Sequence, residues 1–183
     1  MGEDLEDFTQ LVGDMRASDA AHARARERSL RQQATEQATF DGLLTDLAES
    51  GAEIQLRLRS GRTARGIIIG RGADFVALRP RHGGVTVVAS AAVSQLRRPG
   101  GDRPPQPTGD RAPTTVGTLA AYLSGIAPDR PQVAVATAGE PGLLVGELRS
   151  AGRDVLTLAL TGDPPAIVYL ALDSVESLSS PPG

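Results

Sequence analysis

Two stretches of this chain repeat one template of glycine, acid and aliphatic residues, and that repetition constrains the fold more than any other feature. The stretches cover residues 54–96 and 133–178. In each stretch an aspartate follows a glycine by the same interval, the pairs being Gly66 with Asp74 and Gly146 with Asp154. The repetition predicts a duplicated small β-barrel, and a stretch of this length buries only a small core by itself.

The residue types that are missing exclude several kinds of site. The chain has no cysteine, which excludes disulfides, thiolate metal sites and cysteine nucleophiles. All 19 basic residues are arginine, so a phosphate loop ending in lysine and a Schiff-base lysine are also excluded. The two histidines, His22 and His82, lie far apart in the sequence and favour neither a metal site nor a catalytic triad. We therefore expect a non-enzymatic protein without a cofactor or a metal.

The N-terminal segment is acidic and has the pattern of a helix. Its apolar residues recur at intervals of three and four and predict an association helix; they are Leu5, Phe8, Val12 and Met15. High helix propensity continues from residue 17 to 37 with few large apolar residues, which predicts a protruding or loosely docked helix. The opening residues lack the basic and apolar parts of a secretory signal, and residues 112–129 are too interrupted for a membrane span. We expect a cytoplasmic protein without membrane association, and the arginine, alanine and glycine content indicates a bacterium.

A short helix is expected before each repeated stretch. The first covers residues 40–49 with Thr39 as its N-cap, and the second contains Leu119 and Leu123 with Thr115 as its N-cap. Prolines and glycines predict a linker between the two units. The predicted domains are an acidic helical arm (1–38), a basic unit (39–98), the linker (99–113), an acidic unit (114–178) and a tail (179–183).

Alternating residues in the first stretch predict strands. Aliphatic side chains alternate with polar ones from residue 54 to 59, so the aliphatic ones face inward. Turns are expected at Ser60-Gly61, at Gly83-Gly84, where His82 is a surface turn residue, and at Ala91-Ala92, and Gly66 is expected to allow strong strand bending. The predicted fold class is mainly β with helices (α+β): two tandem five-stranded barrels of the Sm-like or SH3-like kind, each preceded by a short helix, plus the N-terminal helical arm.

The order of these motifs in residues 40–98 matches a known pattern. The matching residues are Gly51, Ile54, Leu56, Leu58, Ser60-Gly61, Gly66, Ile68, Asp74-Phe75-Val76, Leu78, Val85, Val87 and Val93. In this order they resemble the Sm-like family, and residues 115–178 are a weaker match. The resemblance implies ring-forming barrels that bind uridine-rich or adenine-rich RNA. The chain contains no asparagine, so the resemblance transfers the fold and no base-reading residue.

Charge divides the chain into three parts. Residues 51–98 contain nine arginines and two acids, a net charge of +7, whereas residues 1–50 contain five arginines and eleven acids, a net charge of −6. Residues 112–183 contain three arginines and seven acids, a net charge of −4. The basic unit is therefore the expected binding surface. Its candidate residues are Arg57, Arg59, Arg62, Arg65, Arg71, Arg79 and Arg81.

Three interpretations of the arginines remain open at this point. They form a solvated or internally paired surface, they bind an acidic protein partner, or they bind RNA. The leading hypothesis is a non-catalytic bacterial adaptor or regulatory binding protein, and the alternative is a nucleic-acid-binding regulator that uses the same arginines. A homo-oligomer through the N-terminal helix or the barrel edges is a further expectation.

Overall fold

The alternating aliphatic residues form strands whose inward side chains build the core. The computed structural model describes residues 22–100 and 117–180. After an exposed helix at residues 22–36 (α1), the first repeat contains α2 (Phe40–Ser50), β1 (Glu53–Leu58), β2 (Thr63–Arg71), β3 (Phe75–Arg79), β4 (Thr86–Ala89), a 3-10 turn (Ser90–Ala92) and β5 (Val93–Arg97). The second repeat contains α3 (Leu119–Ile126), a 3-10 turn (Ala127–Asp129), β6 (Gln132–Thr137), β7 (Leu144–Ala151), β8 (Val155–Leu160), β9 (Ala166–Ala171), a 3-10 turn (Leu172–Ser174) and β10 (Val175–Ser179).

The duplication predicted from the sequence is confirmed, because both repeats have one helix followed by five strands in the same order. The repeated glycines have a packing reason. A Cβ atom on Gly66 would lie 2.5 Å from the carbonyl oxygen of Arg79, and one on Gly146 would lie 2.2 Å from that of Ala159. Glycine therefore recurs where two strands approach too closely for any side chain.

The prediction of two closed five-stranded barrels is wrong, because both repeats belong to one open sheet. The described strands form an antiparallel ten-stranded sheet in the order β5-β1-β2-β3-β4-β10-β6-β7-β8-β9. In the first repeat, β4 does not close on β5 but pairs with β10 of the second repeat, with Val87 opposite Leu178. In a closed barrel the β4 edge would pair within its own repeat. Here β10 of the second repeat supplies the hydrogen-bond partners of that edge. The outer edges of the sheet are β5 and β9.

Two apolar clusters form the core, and one of them is built by both repeats. The first cluster lies within the first repeat and includes Leu44 and Leu56. The second contains the apolar residues of the second repeat together with Phe75, Ala77 and Val87 of the first. Full burial of one such side chain contributes about 1.5–3 kcal/mol, so the shared cluster couples the two repeats energetically.

Capping residues set where the helices begin. The Thr39 hydroxyl accepts a hydrogen bond from the Gly42 N–H at 2.9 Å, which confirms the predicted N-cap of α2. The predicted N-cap at Thr115 is wrong. The hydroxyl of Thr118 accepts from the Ala121 N–H instead, and α3 begins at Leu119, whose N–H donates to Asp74 of the first repeat.

Several predictions fall on residues outside the described ranges. The proposed association helix, with Leu5, Phe8, Val12 and Met15, is among them, as is most of the predicted linker. Residues 22–36 form the helix expected there, and its side chains are exposed apart from the half-buried Ala34. Within residues 22–100 and 117–180, no helix combines the length and the apolar character needed to cross a membrane.

Candidate functional site

Four exposed arginines lie together on one outward face of the first repeat. Its strands bury their even-numbered aliphatic residues, so the odd-numbered residues of β1 and β2 point away from the first core cluster. The same outward face carries one arginine from each of four strands, namely Arg57 on β1, Arg65 on β2, Arg79 on β3 and Arg97 on β5. We call these four residues the arginine face.

Strand register places these arginines close to one another. Arg65 and Arg97 both pair with Gln55, from opposite sides of β1. Neighbouring strands lie about 4.8 Å apart, so the Cα atoms of these two arginines are about 10 Å apart. A guanidinium Nη2 of Arg65 donates to Gln55 Oε1 at 3.1 Å and is thereby oriented along the face. The arrangement suits a surface carrying several negative charges rather than one small anion.

Glu53, an acid on β1 beside the arginine face, is already bound. Arg81 donates to both carboxylate oxygens of Glu53, with distances of 3.0 Å from Nε and 2.7 Å from Nη2. By contrast, none of the four arginines of the arginine face has an ion-pair partner among the described residues. Within residues 22–100 and 117–180, no ion pair therefore neutralises the positive charge of the arginine face.

Arg71, another predicted site residue, is buried in the structure. Its guanidinium forms an ion pair with the Asp41 carboxylate at 2.7 Å and also donates to the Thr45 hydroxyl and the Asp41 carbonyl. These contacts join β2 to α2. Arg71 is therefore bound within the first repeat and does not lie on the arginine face.

The remaining predicted arginines, Arg59 and Arg62, follow β1 near the second repeat. Arg62 donates from its guanidinium to the carbonyl oxygen of Pro141. Arg59 lines a cavity of about 550 Å³ between the repeats. The other charged residues lining this cavity are Asp74, Arg153, Asp154, Asp173 and Glu176. Because two cationic and four acidic side chains line the cavity, its charge favours neither an anionic nor a cationic ligand.

Two acids of the cavity hold the repeats together. The carboxylate of Asp74 accepts from the Leu119 N–H at 2.6 Å, at the first turn of α3. The carboxylate of Glu176 accepts from both the N–H and the hydroxyl of Ser60, and its side chain is buried. In the sequence, Asp74 stands out only by its repeated interval from Gly66 and its place in the Asp74-Phe75-Val76 motif. Its distance of 45 residues from Leu119 explains why no local pattern revealed the contact.

Arg97 is a member of the arginine face that the predicted site omitted. Alternation after Leu96 indicates that Arg97 faces outward. The sequence does not show that Arg97 lies beside Gln55 of β1, because these residues are far apart in the chain. The second repeat has no counterpart of the arginine face. At the positions equivalent to Arg57, Arg65, Arg79 and Arg97 it has Ala136, Val145, Ala159 and Ser179.

The histidines and acidic residues are the remaining candidates for a metal or catalytic site. The described residues contain no group of three or more histidine, cysteine or acidic side chains arranged to hold a metal ion. His22 is exposed on α1, and His82 is exposed in the turn before β4, where a surface turn residue was predicted. Against known proteins, no family model matches this chain and no curated protein matches it.

Proposed function

We propose that this protein is a non-catalytic adaptor that binds an acidic protein partner through the arginine face. The observation that carries the proposal is the convergence of four exposed arginines from four neighbouring strands, none with an ion-pair partner among the described residues. Guanidinium groups bind carboxylates in a bidentate manner, and a rigid sheet fixes their spacing. Such a face favours a partner with several carboxylates at matching spacing.

The composition of the arginine face favours an acidic protein over RNA. Single-stranded nucleic acids are usually held by aromatic side chains on which bases stack. The four aromatic residues of the described ranges lie elsewhere: Phe75 and Tyr122 pack on each other with ring centroids 5.4 Å apart, Phe40 begins α2 and Tyr169 is on β9. The arginine face has the exposed aliphatic Ile67 between its charges instead.

The test uses two soluble polyanions as probes, poly-L-glutamate and a single-stranded uridine oligonucleotide. The double variant Arg57→Glu/Arg65→Glu reverses two charges of the arginine face. We expect the unchanged protein to bind poly-L-glutamate at low salt, more weakly as salt rises, and the variant to bind at least tenfold more weakly. Fluorescence anisotropy of labelled probes measures both affinities.

The matched control is Arg24→Glu/Arg28→Glu, which makes the same charge change on the exposed helix α1. If the arginine face is the binding surface, this control variant binds poly-L-glutamate as tightly as the unchanged protein does. Absence of binding to both probes at low salt contradicts the proposal. If the protein binds the oligonucleotide more tightly than poly-L-glutamate, with the same dependence on Arg57 and Arg65, the ligand of the arginine face is RNA and not an acidic protein.

The proposed adaptor acts in the bacterial cytoplasm, the compartment expected from the sequence. In that setting the arginine face binds a partner without changing it chemically. Fractionation of cells that produce the tagged protein tests the compartment. Recovery from the membrane or the exterior contradicts this part of the proposal.

A further inference from the structure

Strands β3 and β4 of the first repeat have core residues on both faces, whereas their counterparts β8 and β9 have them on one. On β3, Val76 belongs to the first core cluster and Phe75 to the second, so the second repeat covers the outward face. Helix α3 is part of this cover, because the Tyr122 ring packs on Phe75. On β8, Leu156 and Leu158 enter the core, while the side chains of the opposite face are partly or fully exposed.

The outward face of the second repeat is apolar at its centre. Val145 on β7 is 46% exposed, and Ile167 and Tyr169 on β9 are 54% and 72% exposed. Ala159 on β8 lies between these strands, opposite Ile167. We call these four residues the apolar face. In the first repeat, arginines of the arginine face occupy the positions of Val145 and Ala159, so the apolar face is specific to the second repeat.

The N-terminal segment has the apolar spacing of α3, the helix that covers the equivalent face of the first repeat. In α3, Leu119 and Tyr122 are three positions apart and both contact the second core cluster. Leu5 and Phe8, which lie outside the described ranges, have the same separation, and Asp4 before them is of a type favoured at an N-cap. The chain therefore contains a second segment with the pattern of a covering helix.

The apolar stripe of this segment and the apolar face have matching lengths. A helix from Leu5 to Met15 extends about 15 Å. The register of β7, β8 and β9 places Val145 and Tyr169 two strand spacings and four residues apart, a diagonal of about 16 Å. A helix of this length covers the apolar face from one end to the other.

The chain before α2 is long enough to bring the segment there. Asp41 of α2 forms an ion pair with Arg71 of β2, and β9 is the seventh strand from β2 in the sheet order, a distance of about 34 Å along the sheet. Helix α1, at residues 22–36, is about 22 Å long, and six extended residues, 16–21, add up to about 20 Å. Residues 5–15 therefore reach the apolar face of their own chain.

Charge also favours this placement. Residues 3–15 contain five acids and no basic residue. Beside the apolar face, Arg149 and Arg130 both approach the carboxylate of Glu147, at 3.3 Å and 3.9 Å, and Glu147 lies opposite Ala159. Two cations share one acid there, which leaves a positive charge next to the apolar face for an acidic segment.

We infer that residues 5–15 cover the apolar face of their own chain and pack their apolar side chains on Ile167 and Tyr169. The arginine face is the other surface that attracts an acidic segment. Burial of several large apolar side chains contributes more than exposed ion pairs do, so the apolar face wins. The inference does not rest on the proposed function, because it leaves the arginine face free for a partner.

The first test uses the absence of cysteine from the chain, because two introduced cysteines are then the only reactive thiols. Thr9→Cys/Ala159→Cys places one thiol in the middle of the segment and one at the centre of the apolar face. Thr9→Cys/Gln55→Cys, the matched control, places the second thiol on β1 among the arginines of the arginine face. With a short bismaleimide, we expect cross-linking within one chain to be at least tenfold faster in the first variant than in the control.

Mass spectrometry of the cross-linked peptides and the mass of the product separate the outcomes. Equal rates in the two variants, or a faster reaction with position 55, overturn the inference. A product made of two chains also overturns it and assigns the apolar face to the segment of another copy.

The second test measures hydrogen exchange of residues 5–12 in the full chain. Ile167→Ser/Tyr169→Ser removes the two large side chains of β9 that the segment is expected to cover, and we expect the amides of residues 5–12 to exchange at least tenfold faster. Ile67→Ser/Ile69→Ser, the matched control, changes two exposed isoleucines of β2 and is expected to leave that exchange unchanged. Circular dichroism confirms that each variant is folded.

Two results of the exchange measurement contradict the inference. If residues 5–12 exchange equally fast in the unaltered protein and in both variants, the segment covers neither surface. If only the change on β2 accelerates their exchange, the segment lies on the arginine face instead.

Discussion

The two repeats share their element order and strand pairings, yet they present different surfaces. The first repeat exposes arginines on its outward face and pairs its β4 edge with β10, whereas the second exposes apolar side chains on β8 and β9, and β9 is an outer edge of the sheet that the described strands form. Inward residues remain aliphatic in both repeats, and outward residues differ. The comparison teaches that one scaffold supports two surfaces, because the core constrains only alternate positions of each strand.

Phe75→Ala has the largest expected effect of the substitutions that compare the repeats. Phe75 is buried between them and its ring packs on Tyr122, so its loss is expected to lower the free energy of unfolding by about 3–5 kcal/mol. Val155→Ala, at the equivalent position, is expected to cost less than about 1 kcal/mol, because Val155 is partly solvent-exposed. Urea unfolding at a concentration where the chain is monomeric measures both.

Equal losses for the two substitutions contradict the asymmetry between the repeats. In that case Val155 is covered in solution by a part of the same chain. A loss for Val155→Ala that grows with protein concentration instead supports coverage by a second copy. The concentration dependence therefore separates an internal contact from an association.

The strands were largely predictable from the sequence, whereas the way the repeats join was not. Alternation around Ile54 and Leu56 reports which residues face inward, and Thr39 marks a helix start, because both are local effects. Closure of a sheet depends on which edges meet. Val87 and Leu178 are aliphatic in either arrangement, so their side chains do not distinguish a strand that pairs within its repeat from one that pairs with the other.

The candidate site was predictable only in part for a similar reason. Charge counting identified the basic repeat, but it does not distinguish Arg71, which is bound to Asp41, from the exposed Arg65. Alternation also fails at Arg71, because the β2–β3 register shifts between Ile68 and Gly70 and turns the residues beyond toward the core. An irregularity of this kind is set by the partner strand and leaves no clear mark in the sequence.

Substitution of the repeated glycines tests the equivalence of the repeats. Gly66→Ala and Gly146→Ala each place a methyl group within 2.5 Å of a backbone carbonyl, so each is expected to cost about 3 kcal/mol by forcing the strands apart. Gly70→Ala is the control, because its methyl group meets the Ala77 side chain at an ordinary 3.8 Å. Thermal unfolding compares the three variants. If one of these two variants, Gly66→Ala or Gly146→Ala, keeps full stability while the other loses it, the two glycines do not have the same packing role.

Removal of Arg71 tests a difference in how each repeat holds its helix. Arg71→Ala is expected to cost about 2 kcal/mol, because the Thr45 hydroxyl and Asp41 carbonyl lose a buried donor. The second repeat has Ala151 at this position, and its carbonyl accepts from the Ser124 hydroxyl on α3. Arg81→Ala, which removes a surface pair with Glu53, is the control and is expected to cost less than about 1 kcal/mol. Equal costs in urea unfolding contradict a structural role for Arg71.

The smallest expected effect concerns the two equivalent aspartates, Asp74 and Asp154, of which only Asp74 joins the two repeats. Asp74→Ala removes the acceptor of the Leu119 N–H and is expected to lower the free energy of unfolding by about 1 kcal/mol. Asp154→Ala is expected to change it by less than about 0.5 kcal/mol in the monomer, because its carboxylate bonds to no described residue. Urea unfolding of the two variants, at a concentration where the chain is monomeric, measures the difference. If both variants lose stability equally, Asp154 has a partner within its own chain, and the two equivalent aspartates do not differ in the way the structure describes.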